Sequence, residues 1–343
     1  MVSDDFRIRA TLPLLEGLLA RGASVVACTH FGRPRGRVVE EFKVEPVRRC
    51  LAELCPGVEL MENLRFNPGE ETNDRAFGES LITGCAYFVN EAFSASHRAH
   101  ASIMVPPTIV ASAAGPNLQH EVAVLASLLE GPARPFVAVV GGAKVSDKLG
   151  VVKVLAEKAD VVLVGGAMAF TFLASMGRTI GASLFSEPHL AECAQLMATG
   201  KVHVPVDARG LRSGESFGRD GGDGVVQDFG RDIPDGYVAL DIGPATIESF
   251  SREVASAATV LWNGPMGVFE DPRFASGTEA VARAVAASRA ESVVGGGDSV
   301  AALRQFGLDG EVNYVSTGGG ASLQFVEMGD LPGLVALRES PFP

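Results

Sequence analysis

The sequence predicts an α/β protein in which parallel sheets are flanked by helices and the chain folds as two lobes. From residue 135 onward, short β-branched runs alternate with longer helical ones, the pattern of a sheet wrapped by helices. Almost every run ends in glycine, and 343 residues exceed what one hydrophobic core usually organises.

In the first half, LPLLEGLLARG (12–22) and EPVRRCLAEL (45–54) read as helices. SVVACTH (24–30), VELMENLR (58–65) and AYFVNEAF (86–93) read as strands. HEVAVLASLLEG (120–131), ahead of GPARP, reads as a helix joining the lobes. The predicted strands of the second half are FVAVV (136–140), DVVLV (160–164), KVHVPV (201–206), YVALDI (237–242), TVLWN (259–263), SVV (292–294) and VNYVS (312–316). GASLFSEPHLAECAQLMATG reads as a helix with its Cys and Met in the core, and Trp262 as a core aromatic. The 209–224 stretch, RGLRSGESFGRDGGDG, reads as a polar, glycine-rich mobile loop.

Hydrophobic residues make up 47% and charged residues 20%, which excludes disorder. The net charge of −12 leaves no basic face for nucleic acid. Residues 1–100 carry 12 Lys+Arg against 14 Asp+Glu, and eleven of those cations are arginine, the better fork for carboxylate and phosphate. Five cysteines (28, 50, 55, 85, 193) show no CxxC spacing and read as reduced thiols. With no long apolar run and a polar N-terminus, a soluble cytoplasmic protein without membrane contact is expected.

In open parallel sheets, ligands bind beyond the carboxyl ends of the strands. There the sequence places GGAKVSDKLG (141–150), GGGDS (295–299) and TGGGAS (317–322). A Gly-Gly turn followed by a helix points unpaired N–H groups at a ligand, with Lys144 at the helix start and Lys148 one turn on. That suits a polyphosphate; a plain turn followed by a helix with solvated lysines is the other reading. Asp298 is either an N-cap or a carboxylate for Mg²⁺ beside a nucleotide. Several such loops on one sheet edge favour phosphoryl transfer, which needs positioning and charge neutralisation. In the first half, Arg7, Arg33, Arg65 and Arg98, with His30, His97 and His100, are either scattered surface residues or an anion pocket for a small phosphorylated acid. The chain contains no HxxxH or GxxxxGK[ST].

Taken in order, RIRATLP, THFGRPRG, ENLRFNPGEE, FSASHRAHAS, GGAKVSDKLG, ALDIGP, LWNGPMGVFE, GGGDS and STGGGASL resemble the phosphoglycerate kinase family over almost the whole chain. The resemblance implies two Rossmann-like lobes and a cleft that closes by hinge bending. It implies a phosphoglycerate-binding lobe (1–118), an interdomain helix and linker (119–134), a nucleotide-binding lobe (135–330) and a C-terminal segment (331–343). The implied reaction is reversible phosphoryl transfer from 1,3-bisphosphoglycerate to Mg-ADP, giving 3-phosphoglycerate and ATP in glycolysis. A monomer is implied.

By the same resemblance, Arg7, His30, Arg33, Arg65, His97 and Arg98 would bind the phosphoglycerate. Lys144, assisted by Arg7, would neutralise the phosphoryl group in transit, and Gly318, Gly319 and Gly320 would steady it. Lys148 and Asn263 would contact the nucleotide and Glu270 its ribose. Asp298 would face Mg²⁺, with Gly296, Gly297 and Ser299 beside the phosphates. Against the family pattern, a leading strand of the type VRVDFNVP before Val2 and a strand and helix before MENLRF are expected to be absent. The first lobe is therefore expected to lack sheet elements, either through abridgement or because the natural chain starts upstream of Met1. Ala239, in place of a family glycine, is expected to crowd the adenine side. The competing reading is a non-catalytic nucleotide-binding homologue.

Overall fold

In the computed structural model, which describes residues 2 and 5–342, the chain divides into two units. One comprises Met1–Ala123 with Met328–Pro343, the other Val124–Glu327. Met1, where the sequence reading considers the start of the chain, lies outside the described residues.

Unit 1 opens with α1 (Phe6–Ala20), which starts six residues before the predicted helix and carries Pro13 in its interior. The sequence hides the first turns because Pro13 reads as a start signal and RIRAT is polar. What holds them helical is packing: Ile8, Leu12, Leu15 and Leu19 form one stripe against Leu51, Cys55 and Leu60. Strand β1 (Val25–Ala27) is followed by α2 (Glu45–Leu54) and β2 (Val58–Leu60). Next come α3 (Pro68–Glu71), α4 (Arg75–Leu81), β3 (Tyr87–Asn90), α5 (Ala101–Met104) and β4 (Ala111–Ala114). β1 pairs with β2 and β3 with β4, both parallel. Among the described residues these are two separate two-stranded sheets rather than one continuous sheet. β4, ASAA, escapes the sequence reading because small residues carry little strand preference. Helix α6 (Pro116–Glu130) then runs from unit 1 into unit 2.

Unit 2 contributes β5 (Phe136–Val140), α7 (Leu149–Lys158), β6 (Val161–Val164), α8 (Ala169–Ser175), α9 (Leu190–Ala198) and β7 (Val202–His203). It continues with β8 (Ala208–Arg212), β9 (Gln227–Phe229), β10 (Tyr237–Ile242), α10 (Pro244–Ser256) and β11 (Thr259–Asn263). It ends with α11 (Ser276–Ala287), β12 (Glu291–Gly295), α12 (Gly297–Gln305), β13 (Tyr314–Val315) and α13 (Gly320–Met328). Six strands form a parallel sheet in the order β13-β12-β11-β5-β6-β7. All five residues of β5 and of β11 are buried, as strands covered on both faces must be.

Two strand predictions change. Only Val202 and His203 of 201–206 pair in the main sheet, and YVALDI leaves it. β10 pairs antiparallel with β8, which pairs antiparallel with β9, in a second sheet. An alternating apolar run does not say which sheet it joins; that depends on what pairs with its edge. The 209–224 stretch is correspondingly not a free loop. Its start is β8, and its remainder is clamped by Arg273, which donates to the carbonyls of Ser216, Gly222 and Gly224 at 2.8–3.1 Å. Asp271, fully buried, pairs with Arg273 at 2.8 Å and accepts from Gly218 N.

After α13 the chain returns to unit 1 with α14 (Pro332–Arg338). Gly333 N donates to Ser96 O at 2.8 Å and Ser340 Oγ to Pro107 O at 2.8 Å. The tail therefore belongs to unit 1, whereas the sequence treats 331–343 as a separate segment.

Trp262, wholly buried in the second unit's core, donates Nε1–H to Gly264 O at 2.9 Å. Trp262→Ala is expected to cost unit 2 about 3–5 kcal/mol, read from denaturant unfolding followed by circular dichroism. A loss under about 1 kcal/mol would contradict its place in the core.

Candidate active site

The carboxyl ends of β5, β6 and β11 are stitched together by backbone. Gly141 N donates to Asn263 O, Gly142 N to Pro265 O, and Gly166 N to Met266 O, each at 3.0 Å. This spacing requires glycine: a Cβ at Gly141 would collide with Pro265 O, and one at Gly166 would come 2.6 Å from Gly142 O. Lys148 completes the junction. Its ammonium donates to Gly141 O at 2.6 Å, Asn263 O at 3.1 Å and Asn263 Oδ1 at 2.8 Å. All three protons of the group are thereby used. Burial lowers its pKa to about 8, and Asp298 and Asp147 oppose that shift.

The two lysines do not share a helical face. Residues 143–147 form no helix, Lys148 stands immediately before α7, and Lys144 is exposed in the preceding loop. The geometry has a physical cause. A buried ammonium needs acceptors, and those available to Lys148 are the carbonyls behind it at the strand ends.

Beside this junction, β12 and β13 each run into a helix N-terminus. Gly296 precedes α12 with φ of +89°, a conformation that suits glycine. Asp298 is the second residue of α12 and exposed, so it is not the N-cap. Gly297 is exposed beside it. Ser299 is fully buried and accepts from Gly264 N at 2.5 Å, so its hydroxyl braces the β11 loop. The Asn263 side chain packs over Gly296, linking the ends of β11 and β12. Gly318 N donates to Ser316 Oγ at 3.1 Å; Gly319 has φ of +56°, and Gly320 begins α13. Glu270 is exposed after β11. Ala239 is 4% exposed and packs with Phe170, Leu173, Ala208 and Ile233, so its methyl fills core.

In unit 1, His30, Arg33, Arg65, His97 and Arg98 form one electrostatic cluster. Arg65 is 5% exposed and donates Nη1–H to Gly32 O at 2.8 Å. Its Nε lies 3.2 Å from Glu71 Oε1 without hydrogen-bond alignment, leaving a buried donor for an anion. Arg98 Nε donates to His97 Nε2 at 3.1 Å. Burial, then the charges of Arg65 and Arg98, push His30 down to about 4. Burial and Arg98 lower His97 as well. At neutral pH the histidines are uncharged, and the arginines supply the positive field. Arg7 lies exposed in the first turn of α1.

The sequence reading overlooks the carboxylates beneath this cluster. Glu70, 1% exposed, accepts from Ser102 N at 3.0 Å and Ser102 Oγ at 2.7 Å, with His100 Nδ1 at 3.5 Å. Burial raises its pKa, and hydrogen bonds from His100 and Ser102 outweigh that, leaving it below the ordinary value. The signal was present in NPGEE, two acids directly after LRF. Among the described residues, no group of three or more His, Cys, Asp or Glu could hold a metal ion alone. No helix among them is long and apolar enough to cross a membrane.

Glycine-lined strand ends, two helix N-termini and, in the other unit, an arginine cluster around the buried Arg65 are the features of an α/β phosphotransferase. The chain belongs to the phosphoglycerate kinase family, whose model matches residues 1–60 and 56–328. It is 48% identical to the phosphoglycerate kinase of Rubrobacter xylanophilus, covering 98% of this chain and 91% of the relative. Identity to that of Moorella thermoacetica is 46%, over 98% and 92%. Among solved structures, the phosphoglycerate kinase of Coxiella burnetii superposes with a TM-score of 0.87 at 36% identity, covering 98% of this chain and 92% of the other. That of Pyrococcus horikoshii gives 0.84 at 30% identity, over 99% and 92%. The two family-model segments meet at residues 56–60, where the sequence reading places the missing strand and helix.

His30 gives a signed pH prediction. Its pKa falls from 6.5 to about 4 on folding, so the unfolded chain binds its proton more readily. The stability it contributes is complete above about pH 6.5 and is lost as the pH falls through about 4. His30→Gln should flatten the acid side of the stability curve, measured as melting temperature between pH 4 and 7. An acid limb as steep as wild type would remove His30 as its source.

Proposed function

We propose that this protein is a working phosphoglycerate kinase, transferring the acyl phosphate of 1,3-bisphosphoglycerate to ADP, reversibly. The observation that carries the reading is the retention of both halves of the chemistry. Unit 1 holds a buried arginine with a donor to spare, and unit 2 holds paired helix N-termini at glycine-lined strand ends. Nothing in the likenesses favours the non-catalytic alternative.

In this reading, Arg33, Arg65 and Arg98 bind the phosphoglycerate's anionic groups, with Arg7 as a further cation and neutral His30 and His97 as hydrogen-bonding partners. The nucleotide lies against unit 2, its ribose hydroxyls accepted by Glu270. Its phosphates meet the N–H groups that begin α12, at Gly296 and Gly297. Asn263 and Lys148 serve it from the β11 junction. Lys148 must then release a carbonyl to reach a phosphate, or act through its field from where it stands. Ser299 contributes by holding Gly264 in place.

The exposed Asp298 carboxylate, within the field of Lys148, fits a divalent cation that arrives on the nucleotide. Mg²⁺ bound there would neutralise phosphate charge. Lys144, exposed and close in sequence to the junction, follows the phosphoryl group in transit, and the amides at Gly318, Gly319 and Gly320 steady its oxygens. The substrates are small molecules, the chain acts as a monomer, and the setting is the cytoplasm.

The direct test is 3-phosphoglycerate-dependent ATP consumption by the purified chain in Mg²⁺. Lys144→Ala should lower kcat by about 10²-fold or more and leave ADP affinity nearly unchanged, since its partner exists only during transfer. An equal loss of ADP binding would contradict that role. Arg33→Ala should raise the KM for 3-phosphoglycerate about tenfold or more and leave that for ATP alone. An unchanged phosphoglycerate KM would take Arg33 out of the pocket.

A further inference from the structure

Asp241 is a buried carboxylate that the reaction scheme above does not use. It is 3% exposed, and it follows an irregularity in β10 between Ala239 and Asp241, the kind of feature that re-aims a side chain. Its hydrogen bonds come from three neutral donors. Oδ2 accepts from Gly277 N at 2.8 Å and Ser276 Oγ at 3.2 Å, and Oδ1 accepts from Ile242 N at 2.9 Å. Two of those donors are the first residues of α11. Two glycines also close over the carboxylate: a Cβ at either Gly267 or Gly277 would collide with Oδ1.

Gly267 lies in the segment 263–270 that leaves β11, between Asn263 and Glu270. That segment is fastened to the same elements. Thr278, next along α11, accepts through Oγ1 from Met266 N at 3.0 Å and Gly267 N at 3.3 Å. Val268 N donates to Leu240 O at 2.9 Å, the residue before Asp241. Gln305 Nε2 reaches Phe269 O at 3.1 Å. The carboxylate therefore fixes the start of α11, α11 holds the segment through Thr278, and Gly267 rests on the carboxylate itself.

We propose that Asp241 is a positioning residue for the nucleotide, holding residues 264–270 so that Glu270 is presented to the ribose. The inference rests on the assignment of Asn263 and Glu270 to the nucleotide given above. A carboxylate suits the place because its ionised form only accepts and the amides of Gly277 and Ile242 only donate; burial raises its pKa to about 7, and the hydrogen bonds from Gly277, Ile242 and Ser276 oppose that rise. Asp241→Asn keeps the shape but turns one acceptor into an NH₂ facing donors.

The test measures binding of Mg-ADP and of 3-phosphoglycerate by calorimetry, well below the melting temperature, in the intact chain. Asp241→Asn and Gly267→Ala, which disturb the contact from opposite sides, should each weaken Mg-ADP about tenfold or more and change 3-phosphoglycerate less than about twofold. In turnover, the KM for ADP should rise with kcat little altered. Ser276→Ala, which removes one donor, should show the same preference at smaller size and serves if Asp241→Asn does not fold. Folded variants that bind Mg-ADP like wild type, or lose both ligands equally, would overturn the proposal. Failure of the functional reading would appear instead in wild type, as Mg-ADP bound without 3-phosphoglycerate-dependent turnover. The comparison of variants would then still decide the role of Asp241.

Discussion

The ammonium of Lys148 is the interaction on which the second unit's working edge depends. Held by two backbone carbonyls and one side-chain oxygen at the ends of β5 and β11, it adds a second tie between strand termini that backbone hydrogen bonds already join. The surrounding glycines belong to the same close packing. A Cβ at Gly264 would collide with Gly141 O and come 2.5 Å from Nζ, and Gly142 holds a φ of +117° that suits glycine. Burying a cation is tolerable only with this full set of acceptors, so lysine, carbonyls and glycines work as one structure.

The first unit gathers positive charge around Arg65 and supplies part of the counter-charge itself. Arg65 is buried beside Glu71, and Glu70 lies under His100 and Ser102, so counter-charges come from within the protein. The histidines stay neutral because burial and the arginines forbid a further proton. The result is a positive field carried by guanidinium groups, which present paired donors to a carboxylate or phosphate.

The proposed nucleotide edge shows how a buried network can serve a site from outside it. Ser299 steadies Gly264, Thr278 steadies Met266 and Gly267, and Asp271 with Arg273 clamps the 216–224 stretch next to Glu270. None of these groups needs to meet a ligand to matter. Each removes freedom from its own segment; where that segment meets the nucleotide, as proposed for 264–270, the ordering cost falls on folding rather than on binding.

The sequence by itself determined the α/β class, the parallel strands of the main sheet and the glycine-rich ends of those strands. Those features are local: β-branched runs, helical periodicity and glycines each act within a few residues. Its motifs in order also determined the family. Only the tertiary structure decided that β10 joins an antiparallel sheet, that α1 continues back through Pro13, and that 209–224 is clamped. It alone turned Lys148 to the carbonyls of β11, over a hundred residues away, and set Glu70 beneath the arginines. Those outcomes rest on hydrogen bonds and burial between distant segments, and a linear pattern carries no record of which distant acceptor a donor will find.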